Sequence, residues 1–334
     1  YQRRVRGMKV GLSSIIGGRK TNEDAELQEC FECEGVSFQV LAVFDGHGGS
    51  EVSSFCAQNF VPTFKVKYSE NVTKQQIMDI LSMPEQQFFE NQLPENRISL
   101  ALVATFLSLD SQITENAVGT TASVCLLTDT EIFTANCGDA RTLIFNNNQL
   151  SQTSDHKIES ETARLELFGA HIYQGRLDGA LGVARALGDQ GFKQSGLTAV
   201  PDILQLARND LKWVFVGCDG VFDVLSSEQI QCLIETAFQF VGVEQKESDG
   251  ETEELQKVMR QMLKFDQEEA ENLLVGLQKI FRKPWTANYQ NVEEGQDLET
   301  QVAHAITKIA LFCNSQDNIS AVVAVPDKKN GTQQ

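Results

Sequence analysis

The chain is organised around Phe38-Gln39-Val40-Leu41-Ala42-Val43-Phe44-Asp45-Gly46-His47-Gly48-Gly49, an apolar run that ends in an aspartate, a histidine and three glycines. Apolar side chains on both faces, with Val and Phe prominent, predict a buried strand. Asp45 therefore lies where a core strand meets open space, and the glycines let a ligand approach the backbone closely. The alternative is an ordinary polar turn, with Ser50 as the N-cap of a helix that begins at Glu51.

Composition narrows the class of protein. The 334 residues are 41% apolar and carry a net charge of −18. A chain of this length buries one large core or two modest ones. The negative charge argues against nucleic acid and against an anionic membrane surface as partners, because clustered Lys and Arg bind both. No apolar run approaches the roughly 20 residues of a bilayer span, and the first residues lack the apolar stretch of a secretory signal, so we expect no membrane insertion.

Eight cysteines are scattered, mostly within apolar segments, which favours a reducing compartment, cytoplasmic or nuclear, over a disulfide framework. Cys30 and Cys33 form the one close pair, a spacing found in zinc and redox sites. Since no second pair and no histidine accompanies them, we interpret them as part of an ordinary hairpin segment, with a metal or redox role as the alternative.

The hydrophobic periodicity predicts further strands at 8–16, 119–128, 131–137, 141–146, 197–206, 212–218 and 319–325, and helices at 50–66, 73–92, 97–116, 159–168 and 299–313. The links Asp129-Thr130 and Asp139-Ala140 are short enough for hairpins. We also expect a hairpin between the strand at 8–16 and the strand that ends at Phe44, which would bring Glu23 and Asp24 towards Asp45. Helix-length runs followed by hairpin-linked strands predict an antiparallel sheet covered by helices.

The pattern of a buried strand beside an aspartate occurs three times. Asp219-Gly220 follows the apolar run 213–218, and Asp317-Asn318 precedes the apolar run 319–325. If these aspartates converge with Asp45, cations must offset their mutual repulsion. Hard divalent ions such as Mg²⁺ or Mn²⁺ prefer carboxylate, carbonyl and water ligands. The sequence therefore predicts a metal cluster.

An acidic segment interrupts the chain before its last helix. Residues 244–299 contain 14 acidic and 7 basic residues. Apolar residues at helical spacing within it favour an inserted helical excursion, at about 244–296, over disorder. Residues 327–334 form a polar tail. The remainder, within 1–326, is interpreted as a single domain.

Ten motifs occur in an order that identifies a family: Arg19, Glu23-Asp24-Ala25, Asp45-Gly46-His47-Gly48-Gly49, Gly119-Thr120-Thr121-Ala122, Asn136-Cys137-Gly138-Asp139-Ala140-Arg141, Ser154-Asp155-His156-Lys157, Ala184-Arg185-Ala186-Leu187-Gly188-Asp189, Pro201-Asp202-Ile203, Asp219-Gly220-Val221-Phe222-Asp223 and Asp317-Asn318-Ile319-Ser320. With them the chain resembles the metal-dependent serine/threonine protein phosphatases, the PPM or type 2C family. It departs from the family pattern at Ile158, Gly169-Ala170 and Ala184, beside the irregular stretch that corresponds to the family's flap, and in the acidic insertion.

The resemblance implies an α+β fold, in which a central β-sandwich of two mainly antiparallel sheets has helices on both outer faces. It implies an enzyme that hydrolyses phosphoserine and phosphothreonine in phosphoprotein substrates, through direct attack by a water that bridges two Mn²⁺ or Mg²⁺ ions. We expect a monomer.

The resemblance also implies a set of metal ligands: Glu23, Asp24, Asp45, Gly46, Asp219, Asp317, Asp139 and Asp223. In this reading Asp45 bridges the two ions, the Gly46 carbonyl helps to hold one of them, and Asp219 and Asp317 complete the other. Asp139 and Asp223, with Asp219, correspond to positions that hold a weaker third ion.

Two further residues receive roles in catalysis. Arg19 resembles the phosphate clamp, for which a planar bidentate donor is well suited. His47 is either a structural histidine packed on the glycines or, as we favour beside Asp45, the general acid for the leaving serine or threonine oxygen. His156 is interpreted as structural or as an anchor of the flap.

Two other functions fit parts of the pattern. One is a catalytically inactive, phosphatase-like binding protein, which retention of all the metal carboxylates disfavours. The other is a two-metal nuclease, which the charge of −18 disfavours.

Overall fold

The computed structural model describes residues 7–241 and 297–327. The strands are β1 (Met8–Ile15), β2 (Ala25–Cys33), β3 (Val36–Phe44), β4 (Gly46–His47), β5 (Gly119–Thr120), β6 (Ala122–Leu127), β7 (Glu131–Cys137), β8 (Arg141–Asn146), β9 (Gln149–Gln152), β10 (Ile172–Tyr173), β11 (Arg176–Leu177), β12 (Leu187–Gly188), β13 (Asp202–Ala207), β14 (Leu211–Gly217) and β15 (Ile319–Pro326). The helices are α1 (Glu51–Ser69), α2 (Lys74–Ile80), α3 (Met83–Phe89), α4 (Arg97–Asp110), α5 (Thr162–Leu167), α6 (Asp219–Phe222), α7 (Ser227–Val241) and α8 (Leu298–Phe312), with a 3₁₀ helix at Gln190–Ser195.

Two five-stranded sheets form the centre of the fold. The first, called the β15 sheet, has the order β1-β15-β14-β8-β9, and the second, called the β3 sheet, has the order β13-β7-β6-β3-β2. Every neighbouring pair in both sheets is antiparallel. Helices pack on the outer face of each sheet, so the predicted α+β sandwich is confirmed.

Alternation along β3 shows why this strand is apolar at nearly every position. Val40 and Phe44 face outward and pack with the helices α1 and α4, whereas Leu41 and Val43 face the other sheet. Successive side chains of a strand point to opposite faces, and here both faces are buried. Val40 through Phe44 are 0% exposed. A strand of this kind fixes the position of the residue that follows it, Asp45.

The expected hairpin between β1 and β3 is wrong. β1 pairs with β15 along its whole length, from Met8 with Pro326 to Ile15 with Ile319. The partner of β3 is β2, which the sequence analysis did not assign as a strand. β2 is an edge strand with few buried positions, so its apolar alternation is weak. As a result residues 16–24 cross from one sheet to the other, and they carry Glu23 and Asp24.

The second expected hairpin, at Asp139-Ala140, is also wrong, because β7 lies in the β3 sheet and β8 in the β15 sheet. The hairpin at Asp129-Thr130 is confirmed, since β6 and β7 pair directly, with Leu127 opposite Ile132. Link length alone does not distinguish a hairpin from a short crossover between sheets. Asp139, like Asp24, thus lies on a segment that joins the two layers.

The helix predicted at 73–92 is divided into α2 and α3, with Pro84 in the first turn of α3. Proline is tolerated there because the first N–H groups of a helix have no partner within it. Ser82 and Glu85 form a capping box that starts the second helix.

Cys30 and Cys33 lie on β2, three positions apart and therefore on opposite faces of the strand. Cys30 is exposed, and the buried Cys33 Sγ lies 3.7 Å from the carbonyl oxygen of Lys65, to which it donates. The interpretation as an ordinary hairpin segment is confirmed by the pairing of β2 with β3.

The whole of the predicted acidic insertion, at about 244–296, and residues 328–334 of the polar tail lie outside the described residues. Within 7–241 and 297–327, no helix combines the length and the apolar composition that crossing a bilayer requires.

Candidate metal centre

Three strands, two of them in the core and one at a sheet edge, place aspartates at one end of the sandwich. Asp45 directly follows β3, Asp219 begins α6 after the end of β14, and Asp24 precedes β2. A carboxylate oxygen of Asp45, one of Asp219 and the Cys218 sulfur lie within 4.8 Å of one another. The carboxyl groups of Asp45 and Asp219 are in direct contact. Two of the three aspartates singled out by the sequence pattern, Asp45 and Asp219, are therefore brought together.

The acidity of this cluster is strongly perturbed. Burial, and then the charge of Asp219, raises the pKa of Asp45 well above its usual range. Burial also raises the pKa of Asp219, with the charges of Asp317 and Asp223 adding to the effect. The pKa of Asp24 is raised to about 7, mainly by burial. Carboxylates so close together in a low dielectric cannot all ionise without a counter-cation.

Two oxygens of the cluster are left without partners. Asp24 Oδ1 and Asp219 Oδ1 are buried and have no hydrogen-bond partner among the described residues. The other oxygen of Asp24 accepts a hydrogen bond from Ser320 Oγ at 2.6 Å. An unsatisfied buried oxygen costs roughly 1–3 kcal/mol, more if it is charged. Hard divalent cations take such carboxylate ligands, so the donor set fits Mn²⁺ or Mg²⁺.

Gly46 allows residues 16–24, the segment that crosses between the sheets, to approach the aspartate cluster closely. A Cβ at Gly46 would lie 2.1 Å from the carbonyl oxygen of Glu23, so no other residue fits without moving this backbone. Glu23 is held by the next turn of chain, because Gly49 N–H donates to Glu23 Oε2 at 3.2 Å and Ser53 Oγ donates to the Glu23 carbonyl at 2.5 Å.

Asp317 lies on the same end of the sandwich and pairs with Arg19, with 2.5 Å between Arg19 Nη2 and Asp317 Oδ2. The Arg19 side chain is 57% exposed, so its guanidinium faces solvent at the rim of the cluster. The neighbouring Asn318 donates from its amide to the carbonyls of Ile16 and Thr21 and accepts from the Glu23 N–H. Asn318 thereby fixes the crossover segment, residues 16–24, by hydrogen bonds along its length. The sequence analysis did not identify this role.

Asp139 and Asp223 do not belong to the group of ligand atoms that lie within 4.8 Å of one another. Burial, and then the charge of Asp219, raises the pKa of Asp139 to about 7. Asp223 is much more exposed, at 61% of its side chain. Lys157 Nζ lies 3.9 Å from Asp139 and 3.7 Å from Asp223, so an ammonium sits between these two carboxylates.

His47 contacts an acid that is not part of this cluster. Its Nε2 lies 2.5 Å from Asp189 Oδ2, and Asp189 is 1% exposed. Asp189 was part of a motif that carried the family resemblance, but no role was inferred for it. His156 is buried, accepts from Gly138 N–H through Nδ1 at 3.2 Å and lies 3.0 Å from Asp202 through Nε2, so it supports the turn before Asp139.

The raised pKa values predict how stability depends on pH. Between about pH 4 and 7, Asp24 and Asp139 are protonated in the folded protein and ionised in the unfolded chain, so the free energy of unfolding falls as pH rises through that window. At about 1.4 kcal/mol per pKa unit, each group contributes at most about 4 kcal/mol. In excess chelator we therefore expect a Tm several degrees lower at pH 8 than at pH 5. Added Mn²⁺ should raise the Tm, and the increase should be largest at high pH. Scanning calorimetry checks this.

Asp24→Asn and Asp139→Asn provide the control for that experiment. Each amide mimics the protonated acid, so the Tm should depend less on pH in either variant. A Tm that rises from pH 5 to pH 8 in the chelated wild-type protein would contradict the prediction.

Comparison with known proteins agrees with this architecture. Residues 8–267 match the family profile described as "Protein phosphatase 2C". The chain is 32% identical over 236 residues to "Probable protein phosphatase 2C 2" of Paramecium tetraurelia, covering 64% of this chain and 73% of that one. It is 30% identical over 250 residues to "Integrin-linked kinase-associated serine/threonine phosphatase 2C" of Mus musculus, covering 67% and 59%.

A solved structure shows the same fold. The serine-threonine phosphatase 2C from Toxoplasma gondii superposes with a TM-score of 0.59 at 18% identity, over 96% of this chain and 95% of that one. The fold is thus that of the PPM phosphatases. With the profile match over most of its length, the chain belongs to the protein phosphatase 2C family of metal-dependent serine/threonine phosphatases.

Proposed function

We propose that the protein is an active phosphatase that hydrolyses phosphoserine and phosphothreonine in protein substrates with two bound Mn²⁺ or Mg²⁺ ions. The observation that carries this proposal is the pair of buried carboxylate oxygens, Asp24 Oδ1 and Asp219 Oδ1, that lack a partner among the described residues. A buried cluster of like charges is costly unless a ligand compensates it.

The residues proposed to hold the metals are Glu23, Asp24, Asp45, the Gly46 carbonyl, Asp219 and Asp317, with Asp139 and Asp223 for a weaker third ion. When bound, the divalent ions would supply an acidified water as the nucleophile and would offset the negative charge of the phosphoryl group. The raised pKa values of Asp45 and Asp24 support this assignment, because the same burial that disfavours free carboxylates favours a bound cation.

Arg19 is proposed to bind the phosphoryl oxygens from the rim. Its guanidinium is exposed and is anchored on one side by Asp317, which leaves other donors of the fork for a second anion. His47 is proposed to donate a proton to the leaving oxygen of serine or threonine. The eight cysteines, scattered along the chain and mostly buried, support a reducing compartment, the cytoplasm or the nucleus.

Hydrolysis of an aryl phosphate and of a phosphothreonine peptide, each in chelator, Mn²⁺ and Mg²⁺, tests the proposal. We expect turnover of both substrates with either metal and none in chelator. If Mn²⁺ binds in equilibrium dialysis but neither substrate is hydrolysed, the chain is a binding protein that has lost turnover.

The acidic segment is proposed to be a module outside the catalytic core. The helices that flank it, α7 and α8, pack together in one apolar cluster through Ile230, Ile234 and Ile306, so both are anchored to the core by residues outside the segment. Replacing residues 245–293 by a short Gly/Ser linker should change aryl phosphate turnover by less than about 2-fold while it alters the choice of phosphoprotein substrate. Steady-state kinetics on both substrate types measures this, and an unfolded product would show that the segment is integral.

A further inference from the structure

We infer that Asp189 is a positioning residue for His47. The Asp189 carboxylate accepts a hydrogen bond from His47 Nε2–H, which leaves Nδ1 as the ring nitrogen for the substrate. The inference rests on the proposed function, because the proton donated by His47 matters only in that reaction. Its basis is the contact of 2.5 Å between His47 Nε2 and Asp189 Oδ2. An ionised carboxylate only accepts hydrogen bonds, so this contact requires the hydrogen on Nε2.

The backbone of Asp189 is held in an unfavourable conformation. Its φ of 51° and ψ of 45° lie in the left-handed region, which non-glycine residues rarely adopt. Three hydrogen bonds maintain it, from Asp189 N–H to the Val118 carbonyl at 3.0 Å, from Gln190 N–H to the Glu115 carbonyl at 3.0 Å, and from Gly188 N–H to Asp110 Oδ1 at 2.8 Å. Such strain persists where the surroundings over-determine it, often at functional sites.

A three-stranded sheet assembles the pair. Its order is β12-β5-β4, so the middle strand pairs Gly119 with His47 on one side and with Gly188 on the other. A Cβ at Gly119 would lie 2.1 Å from Asp189 Oδ2 and 2.7 Å from His47 Nε2. The imidazole and the carboxylate therefore occupy space that only glycine leaves open.

Asp189 acts through His47 and not on the substrate. It is 1% exposed, whereas the His47 side chain is 31% exposed, so the ring lies between the carboxylate and solvent. Among the described residues, the group that brings Asp45 and Asp219 within metal-binding distance does not include Asp189. A carboxylate behind a histidine sets the tautomer and the ring orientation, as in other acid–base pairs.

The test combines Asp189→Asn with His47→Gln in a double-mutant cycle, using a phosphothreonine peptide and an aryl phosphate in Mn²⁺. Alone, Asp189→Asn should lower kcat on the peptide by about 10-fold to 100-fold and on the aryl phosphate by less than about 3-fold, with KM and Mn²⁺ affinity unchanged. In the His47→Gln background it should cause no further loss on either substrate. An equal loss in both backgrounds would mean that Asp189 only supports the fold, and no loss in the wild-type background would also overturn the inference.

Asp178→Asn is the matched control. Asp178 also has a φ of 51°, and its carboxylate accepts a hydrogen bond from Ser195 Oγ at 2.5 Å, but it is exposed. The ratio of peptide to aryl phosphate turnover should not change in this variant.

A second measurement is made on the wild-type protein, and the only variant it needs is His47→Gln, which identifies the signals of the His47 ring. Long-range ¹⁵N–¹H spectra of the wild-type protein should show a proton on His47 Nε2, and a proton on Nδ1 alone would overturn the inference. If the wild-type protein hydrolyses neither substrate, the proposed function fails while this spectrum still decides the hydrogen bond.

Discussion

Replacing Asp219 by Asn is expected to abolish phosphatase activity, with kcat lowered by about 10³-fold or more on either substrate. Asp219 contacts Asp45 and leaves Oδ1 buried without a partner in the described structure, so this oxygen is available as a ligand for a cation. An amide oxygen is a much weaker ligand for Mn²⁺ or Mg²⁺. For the same reason wild-type activity should vanish in chelator and return on addition of either metal.

Two measurements separate this loss from unfolding. Removing a carboxylate relieves repulsion, so the Tm of metal-free Asp219→Asn should equal or exceed that of the chelated wild-type protein. Asp210→Asn is the matched control, because Asp210 precedes the same strand β14 at its other end, is half exposed and pairs with Lys212 at 2.9 Å. It should keep full activity. Undiminished wild-type turnover in excess chelator would overturn the mechanism.

Replacing His47 by Gln should lower kcat on a phosphothreonine peptide by about 10²-fold or more while it costs much less on an activated aryl phosphate. Phosphothreonine expels a strongly basic alkoxide that needs a proton, whereas a phenolate leaves without one. Mn²⁺ affinity should be little changed, because the His47 ring contacts Asp189 and not the clustered aspartates.

Steady-state kinetics on both substrates, with Mn²⁺ titrations of each protein, checks this expectation. Equal losses on the two substrates would mean that His47 supports the geometry around Asp45 and does not donate a proton. His171→Gln serves as the control, since His171 is exposed and has no assigned role.

Much of the fold was predictable because its core strands are buried on both faces. β3, β14 and β15 are runs of Val, Phe, Ala and Ile that stand out from their flanks, and each was assigned to within a few residues. β2 was missed because an edge strand buries little, and the pairing of β1 was wrong because its partner, β15, lies about 300 residues away in sequence.

The site residues likewise fall into those that were predictable from the sequence and those that were not. Asp45, Asp219 and Asp317 were recognisable as residues at the ends of apolar runs, and the family motifs identified Glu23, Asp24 and Asp139. No pattern indicated that Asp189 would meet His47, because 142 residues separate them. The left-handed backbone at Asp189 had no signal either, since most residues with that φ are glycine.

The local sequence pattern was sufficient to predict the strands and helices whose formation depends on burial, because the spacing of apolar residues records which faces of an element are covered. It was enough to place the aspartates at strand ends and to predict that cations would be needed there. The choice of strand partner, the crossings between the sheets at Asp24 and Asp139, and the contact between His47 and Asp189 depended on segments remote in sequence. Such contacts are set by packing of the whole sandwich, where one geometry satisfies both sheets and the backbone hydrogen bonds between them.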